Sequence, residues 1–104
     1  MTNNEAAVAI VTGAGGAIGK AIAQRLSKAG FQVVCIDIDG VKAELASKEI
    51  PNSVWFKVDI TKEYEVRELR SQLTELMLPP TLLVNTAGMF FRHDILTLEE
   101  NDFD

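Results

Sequence analysis

The sequence of 104 residues has little of several residue types on which particular protein classes depend. Its one cysteine, Cys35, cannot form an intramolecular disulfide, so the chain needs no oxidising compartment. Its one histidine, His93, makes neither a metal site nor a catalytic triad by itself. No apolar run approaches the ~18 residues of a membrane-spanning helix, and residues 1–5 contain no base to begin a secretory signal. We therefore expect a cytoplasmic protein without a metal or a membrane anchor.

Positive charge is also scarce. Ten Lys and Arg residues against 15 Asp and Glu residues give a net charge of −5, and the whole acidic excess lies in the second half of the chain. This balance disfavours a nucleic acid or an anionic membrane as the main partner, because both present phosphate groups. The 47% hydrophobic and 24% charged residues are typical of a folded globular protein, and the length suits one domain, residues 1–104.

Four short apolar segments are typical of parallel strands that are buried on both faces. They are Ala6–Thr12, Gln32–Asp37, Val54–Asp59 and Thr81–Asn85. Three segments with helical spacing separate these strands, and the acidic residues 98–104 could open a fourth helix. Such alternation requires right-handed crossovers. It predicts an α/β fold: a doubly wound, Rossmann-type parallel sheet with strand order 3-2-1-4.

The helical segments carry specific expectations. The first, ended by a C-cap glycine at Gly30, has an apolar side formed by Ile18, Ala21, Ile22, Leu26 and Ala29. The second spans Val41–Ile50 and stops at Pro51. The third is capped by Thr61 and stopped by Pro79 and Pro80. Its apolar side is formed by Val66, Leu69, Leu73, Leu76 and Met77.

The fourth strand lies at an edge in this order, although three apolar residues in succession, Leu82, Leu83 and Val84, require cover on both faces. A complete doubly wound domain would set a fifth strand beside it, and the sequence contains no such strand. We therefore expect a sheet that is incomplete at this edge, and self-association through the exposed fourth strand.

The glycine-rich segment Thr12–Gly19 lies between the first strand and the first helix. A diphosphate at such a place can meet free backbone N–H groups and the positive end of the helix dipole. Side chains on the turn would block that approach, which explains the glycines. A tight strand-to-helix turn without a ligand is the alternative.

Asp37 ends the second strand, where a carboxylate can accept hydrogen bonds from the ribose 2′- and 3′-hydroxyls of an adenine dinucleotide. No Arg or Lys occurs from Phe31 through Val41 to receive a 2′-phosphate, and Asp39 adds a second negative charge. These residues favour NAD over NADP. The alternative is that Asp37 is a solvated residue at a strand end.

The sequence resembles the short-chain dehydrogenase/reductase family at four places in the same order. Thr12–Gly19 is similar to its Thr-Gly-x-x-x-Gly-x-Gly loop, Asp37 to its NAD-selecting acid, Asp59-Ile60 to its adenine-contacting pair and Asn85–Gly88 to its Asn-Asn-Ala-Gly segment. The resemblance implies that NAD(H) is bound by twelve residues. They are Gly13, Gly15, Gly16, Ile18, Gly19, Asp37, Ile38, Asp59, Ile60, Asn85, Ala87 and Gly88.

The resemblance also implies roles and an activity. Asp59 would accept a hydrogen bond from the adenine amino group, Ile60 would offer its backbone N–H, and Asn85 would also tie adjacent strands together. The parent enzyme would transfer hydride between the nicotinamide and a small alcohol or carbonyl substrate, and such enzymes are commonly homo-oligomers.

The sequence departs from the family pattern in three ways. Ala17 stands where the family usually has its second glycine, and Thr86 replaces its second asparagine. The family's catalytic Ser and Tyr-x-x-x-Lys are absent: the only tyrosine is Tyr64, and Glu68 stands four residues later. No catalytic residue is therefore assigned. The resemblance implies an NAD-binding domain, residues 1–104, that is truncated before the family's catalytic portion. The alternative is a short non-catalytic module that binds a dinucleotide or a partner. The loop Met89–Asp94 would approach the substrate, or would be a solvated or dimer-facing loop.

Overall fold

A computed structural model describes residues 6–86 of the chain, which form four strands and three helices in alternation. The strands are β1 Val8–Thr12, β2 Gln32–Asp37, β3 Ser53–Lys57 and β4 Pro80–Asn85. The helices are α1 Ala17–Lys28, α2 Gly40–Lys48 and α3 Glu63–Glu75. None of these helices is long and apolar enough to cross a membrane. The loop at residues 89–94 and the expected helix start at 98–104 lie outside the described residues.

The four strands form one parallel sheet in the order β3-β2-β1-β4, which confirms the predicted Rossmann-type fold. Val8 faces Gln32 across β1 and β2, and Val33 faces Ser53 across β2 and β3. The β1–β4 register shifts between Val8 and Ala9. This arrangement brings the carboxyl ends of the four strands to one edge of the sheet, where such folds bind ligands.

The sheet has a hydrophobic core on each face. On one face the buried residues include Val34 of β2 and Leu69 and Leu73 of α3. On the other face they include Ala23 of α1 and Ala46 of α2. One helix therefore covers one face and two helices cover the other, as expected of a doubly wound sheet.

The bounds of the four strands and of α2 agree with the predicted ones to within two residues, and those of β2 agree at both ends. The first helix ends as predicted, since Gly30 has a φ of 101° and the amide of Phe31 bonds the carbonyl of Leu26. The inward side of α1 was predicted only in part: Leu26 packs against the core, as expected. Its buried residues are Gly19 and Ala23, because small residues let the helix approach the sheet closely, whereas Ile18 remains half-exposed.

The predicted limits and apolar side of α3 also need correction. Its N-cap is Lys62, one residue later than predicted, and the Thr61 hydroxyl donates to Asp59. The helix ends at Glu75, before the two prolines, with Met77 in the left-handed region at φ 60°. Only Leu69 and Leu73 of the predicted apolar side are buried in α3. Val66, Leu76 and Met77 are exposed, because no described element packs over them.

Strand β4 lies at an edge of the sheet formed by the described residues, as predicted. Leu83 is 63% exposed and Leu82 is 37% exposed, whereas Val84 packs against the core on the α1 side. Pro80 opens the strand, where the missing N–H of proline does least harm to a ladder.

Candidate functional site

A cleft of about 500 Å³ lies at the carboxyl ends of β1, β2 and β3. It brings together six of the residues predicted to bind a cofactor, which come from three separate segments of the sequence. They are Gly13, Gly16, Asp37, Ile38, Asp59 and Ile60. Gly15, Ile18, Gly19 and Asn85 do not line this cleft. Ala87 and Gly88 lie outside the described residues.

The glycine loop is a tight turn fixed to the sheet. Gly13 has a φ of 67°, which favours glycine, and its carbonyl accepts the amide of Gly16 at 3.1 Å. The amide of Ala14 bonds the carbonyl of Ile36 in β2 at 2.9 Å. A Cβ at Gly19 would overlap the carbonyl of Gly13, so α1 reaches the loop only because residue 19 has no side chain. The loop therefore places Gly13 and Gly16 on the wall of the cleft.

Gly15 joins the loop to β2 and α2 instead of facing the cleft. Its amide donates a 2.9 Å hydrogen bond to Oδ2 of Asp37. A Cβ at Gly15 would lie 2.5 Å from Cβ of Lys42 and 2.9 Å from Asp37 Oδ2, so only glycine fits there. Oδ1 of Asp37 accepts the amide of Asp39 at 3.0 Å. The carboxylate is thus held on both oxygens, each of which can accept a further hydrogen bond.

The helices differ in what lies at their positive ends. The N-cap residue of α1, Gly16, supplies no side-chain hydrogen bond, and the first turn of α1 has no acid. At α2, the side chain of Asp39 accepts the amides of Val41 and Lys42. At α3, Glu63 and Glu65 lie in the first turn. Among these three helices, only α1 has no carboxylate on its N-cap residue or in its first turn, and that end borders the cleft beside Asp37.

Asp59 is fixed at the end of the cleft beyond β3. Its Oδ1 accepts the hydroxyl of Thr61 at 2.6 Å and the amide of Thr61 at 3.0 Å. These hydrogen bonds to the charged form lower the pKa of Asp59 below its usual value, so the side chain is a carboxylate at neutral pH. The amide of Asp59 donates to Oε1 of Glu65 at 2.8 Å. Sequence reasoning missed the contribution of Glu65 to holding this segment.

Asn85 and Thr86 fasten β4 to β1 beside the glycine loop. Oδ1 of Asn85 accepts the hydroxyl of Thr12 at 2.7 Å, and the amide of Thr86 donates to that same hydroxyl oxygen at 3.1 Å. The hydroxyl of the buried Thr86 donates to the carbonyl of Thr12 at 2.6 Å. The threonine that replaces the family's second asparagine therefore also joins the two strands.

Other chemically capable side chains lie away from the cleft. Cys35 is fully buried, and burial raises the pKa of its thiol to about 11, so it is no nucleophile at neutral pH. Tyr64 is 67% exposed on α3 and does not line the cleft. Residues 6–86 contain no group of His, Cys, Asp and Glu side chains that could hold a metal ion.

The sequence is similar to a family of dehydrogenases and to proteins named as dehydrogenases. The short chain dehydrogenase family model matches residues 7–104. An L-fucose dehydrogenase from Bos taurus is 36% identical over 81 residues, which are 78% of this chain and 30% of that protein. A (3R)-3-hydroxyacyl-CoA dehydrogenase from Canis lupus familiaris is 32% identical over 110 residues, covering 94% of this chain and 42% of the relative.

A solved structure shares the fold closely. The 3-ketoacyl-(acyl-carrier-protein) reductase from Brucella melitensis, complexed with NADH, superposes with a TM-score of 0.74 at 32% identity. The match covers 98% of this chain and 43% of that one. The chain thus spans well under half the length of the relatives it matches.

Proposed function

Since this chain belongs to the short-chain dehydrogenase/reductase family, we propose that it is the NAD(H)-binding part of an enzyme that oxidises alcohols or reduces carbonyl compounds. Members of this family are oxidoreductases that use a nicotinamide cofactor, either NAD or NADP. The observation that carries the choice of NAD is the position of Asp37, whose carboxylate lines the cleft next to the glycine loop.

The diphosphate of the cofactor is proposed to lie at the start of α1. The walls there are Gly13 and Gly16, which present no side chain, and neither the N-cap nor the first turn of α1 carries a carboxylate. The amide of Gly15 is already bonded to Asp37, so it is not among the proposed phosphate donors. The free amides of the first turn of α1 are the better candidates, because they lack intrahelical acceptors.

The adenosine is proposed to occupy the part of the cleft between β2 and β3. There Asp37 would accept hydrogen bonds from the ribose hydroxyls, and Asp59 would accept one from the adenine amino group. Ile38 and Ile60, 62% and 38% exposed, supply apolar surface on which the base can pack. Ionised acceptors at both positions suit a ligand that approaches with hydroxyl and amino donors.

The cofactor, when bound, supplies the hydride acceptor or donor of the reaction. Asn85, Ala87 and Gly88 are proposed to flank it at the end of β4. Hydride transfer, a substrate with an alcohol or carbonyl group, assembly into homo-oligomers and a cytoplasmic location are proposals for the whole protein. The relatives named above act on compounds of different kinds, and they single out no substrate for this chain.

The test is a comparison of cofactor affinities in the chain itself. NADH binding is measured through energy transfer from the single tryptophan, Trp55, and NADPH is titrated in parallel. We expect NADH to bind more tightly, because a 2′-phosphate would face Asp37, Asp39 and Asp59. Equal affinities would overturn the choice of NAD, and no binding of either cofactor would favour a non-binding module.

The matched variants are Asp37→Asn and Glu68→Gln, since Glu68 is an exposed acid on α3 outside the cleft. Asp37→Asn keeps an oxygen for the amide of Gly15 but removes the negative charge. We expect it to weaken NADH binding by about 1–3 kcal/mol and to weaken NADPH binding less. Glu68→Gln should leave both affinities unchanged. An unchanged NADH affinity in Asp37→Asn would show that the carboxylate does not contact the ribose.

A further inference from the structure

One basic side chain enters the cleft. Lys42 lies in the first turn of α2 and is the only Lys, Arg or His among the described residues that line it. It stands one position beyond Phe31–Val41, the segment whose lack of basic residues favoured NAD. Because the first turn of α2 folds back toward the glycine loop, a residue outside that segment shares the cleft with Asp37.

The stem of Lys42 is anchored beside the carboxylate of Asp37. A Cβ built on Gly15 would meet Cβ of Lys42 at 2.5 Å and Oδ2 of Asp37 at 2.9 Å, so both side chains border the same backbone position. The ion pairs of the described residues are Lys20–Glu49 and Arg67–Glu63, and Lys42 takes part in neither. Lys42 therefore brings to the cleft lining an ammonium group that forms no ion pair with a described residue.

The charges along the cleft determine whether it can bind an adenosine whose ribose carries a 2′-phosphate. Of the side chains that line the cleft, three are carboxylates, on Asp37, Asp39 and Asp59, and one, on Lys42, is an ammonium group. Lys62, which is not part of the lining, also attracts the carboxylate of Asp59. A ribose with two hydroxyls adds no charge, whereas a 2′-phosphate adds between one and two negative charges. The cation reduces the repulsion felt by the phosphate and has little effect on a neutral hydroxyl.

We propose that Lys42 is a specificity-determining residue, which moderates the preference of this cleft for NAD(H) and keeps NADP(H) usable as a weaker second cofactor. The inference rests on the proposed function, because it requires the cleft to bind the adenosine half of a nicotinamide cofactor. The three carboxylates still outnumber the cation, so the order of preference is unchanged and only its size depends on Lys42.

The test uses Lys42→Met, which keeps a long stem to pack on Gly15 and removes the charge. Lys48→Met is the matched control, because Lys48 is exposed at the other end of α2 and does not line the cleft. Binding of NADH and NADPH to each variant is measured by titration calorimetry at low and at physiological salt. We expect Lys42→Met to weaken NADPH about five- to tenfold at low salt and less at higher salt, since salt screens exposed charges.

NADH affinity should stay within about twofold in Lys42→Met, and Lys42→Arg should retain the NADPH affinity of the original chain. Equal weakening of both cofactors at both salt concentrations would make Lys42 a packing residue and overturn the inference. So would an unchanged NADPH affinity in Lys42→Met. If the original chain bound neither cofactor, the proposed function itself would fail, which is a different result from NADH binding that is indifferent to Lys42.

Discussion

The hydroxyl of Thr86 donates a 2.6 Å hydrogen bond to the backbone carbonyl of Thr12, at the point where β1 runs into the glycine loop. Both side chains are buried, and the Thr86 amide bonds the Thr12 hydroxyl in return. The same Thr86 oxygen would lie 3.0 Å from a Cβ at Gly19. One threonine therefore links the edge strand, the central strand and the start of α1.

Thr86→Val tests this link. Valine keeps the shape of the side chain but removes the hydroxyl that donates to the carbonyl of Thr12, so we expect a loss of about 0.5–1.5 kcal/mol in the free energy of unfolding. Urea unfolding followed by Trp55 fluorescence measures it. Thr86→Ser keeps the hydroxyl and should recover most of the loss. If Thr86→Val had the same free energy of unfolding as the original chain, the hydrogen bond would make no net contribution to stability.

Gly19→Ala tests the close approach of α1 to the glycine loop. The added methyl group would overlap the carbonyl of Gly13, so the helix must move away, and overpacking of this kind costs about 1–3 kcal/mol. We expect both stability and NADH affinity to fall. Ala21→Ser, an exposed change on the same helix, should alter neither. Full stability in Gly19→Ala would show that the loop can yield without cost.

Thr61→Val tests the cause of the low pKa of Asp59. Valine removes the hydroxyl donor, so the pKa of Asp59 should rise toward its ordinary value, as followed by carboxyl NMR titration. Because the folded pKa is the lower one, this contact stabilises the fold above the unfolded pKa and stops doing so as pH falls through the folded pKa. Thr61→Ser should restore the original titration, and a pKa equally low in Thr61→Val would assign the shift to the backbone amide of Thr61 and to Lys62.

Cys35 gives a prediction at high pH. Burial raises the pKa of its thiol from 9.0 to about 11, so the folded state holds the proton more strongly than the unfolded state. Its contribution to stability is complete below pH 9 and is lost as pH rises to about 11. Stability should therefore fall over this range more steeply in the original chain than in Cys35→Ala. A thiol-specific reagent at pH 8 should label Cys35 only in denaturant, and rapid labelling of the folded chain would contradict the burial.

The exposed edge of β4 predicts association of the chain. Leu83 is 63% exposed on a strand that pairs with β1 alone among residues 6–86, so its apolar side chain lies at a sheet edge where a second copy can dock. Light scattering should show dimers or larger species whose proportion rises with concentration. Leu83→Lys should reduce them, whereas Leu76→Lys, at the half-exposed C-cap of α3, should not. A concentrated solution of monomers would contradict the prediction.

Most of the fold could be predicted from the sequence because its signals are local. The apolar strands, the glycine loop and Gly30 each depend on neighbouring residues, and strand order follows from the handedness of the crossovers. The cap of α3 could not be predicted in this way, since the N-cap is Lys62 and the hydroxyl of Thr61 donates to Asp59 of the preceding loop.

The candidate site was predictable where it is built from strand ends and was not predictable where helices fold back over them. Asp37 and Asp59 follow strands, and the structure brings them to one cleft. Lys42 reaches that cleft from α2, and its position depends on the close contact with Gly15. The most buried part of α1 was missed for a similar reason: it is set by how closely Gly19 and Ala23 let the helix approach, and hydrophobicity does not report that distance.

The pairing of β1 with β4 has a consequence for the order of folding. Strands β1 and β2 pair through residues that are close in the sequence, such as Val8 and Gln32. Strands β1 and β4 are joined by Thr12 and Asn85, which lie 73 positions apart. Closing the longer loop costs more chain entropy, and contacts between distant residues slow folding. We expect β1, β2 and β3 to assemble first. The part of the cleft between β2 and β3, which is proposed for the adenosine, would then form before β4 docks and Thr86 secures the glycine loop.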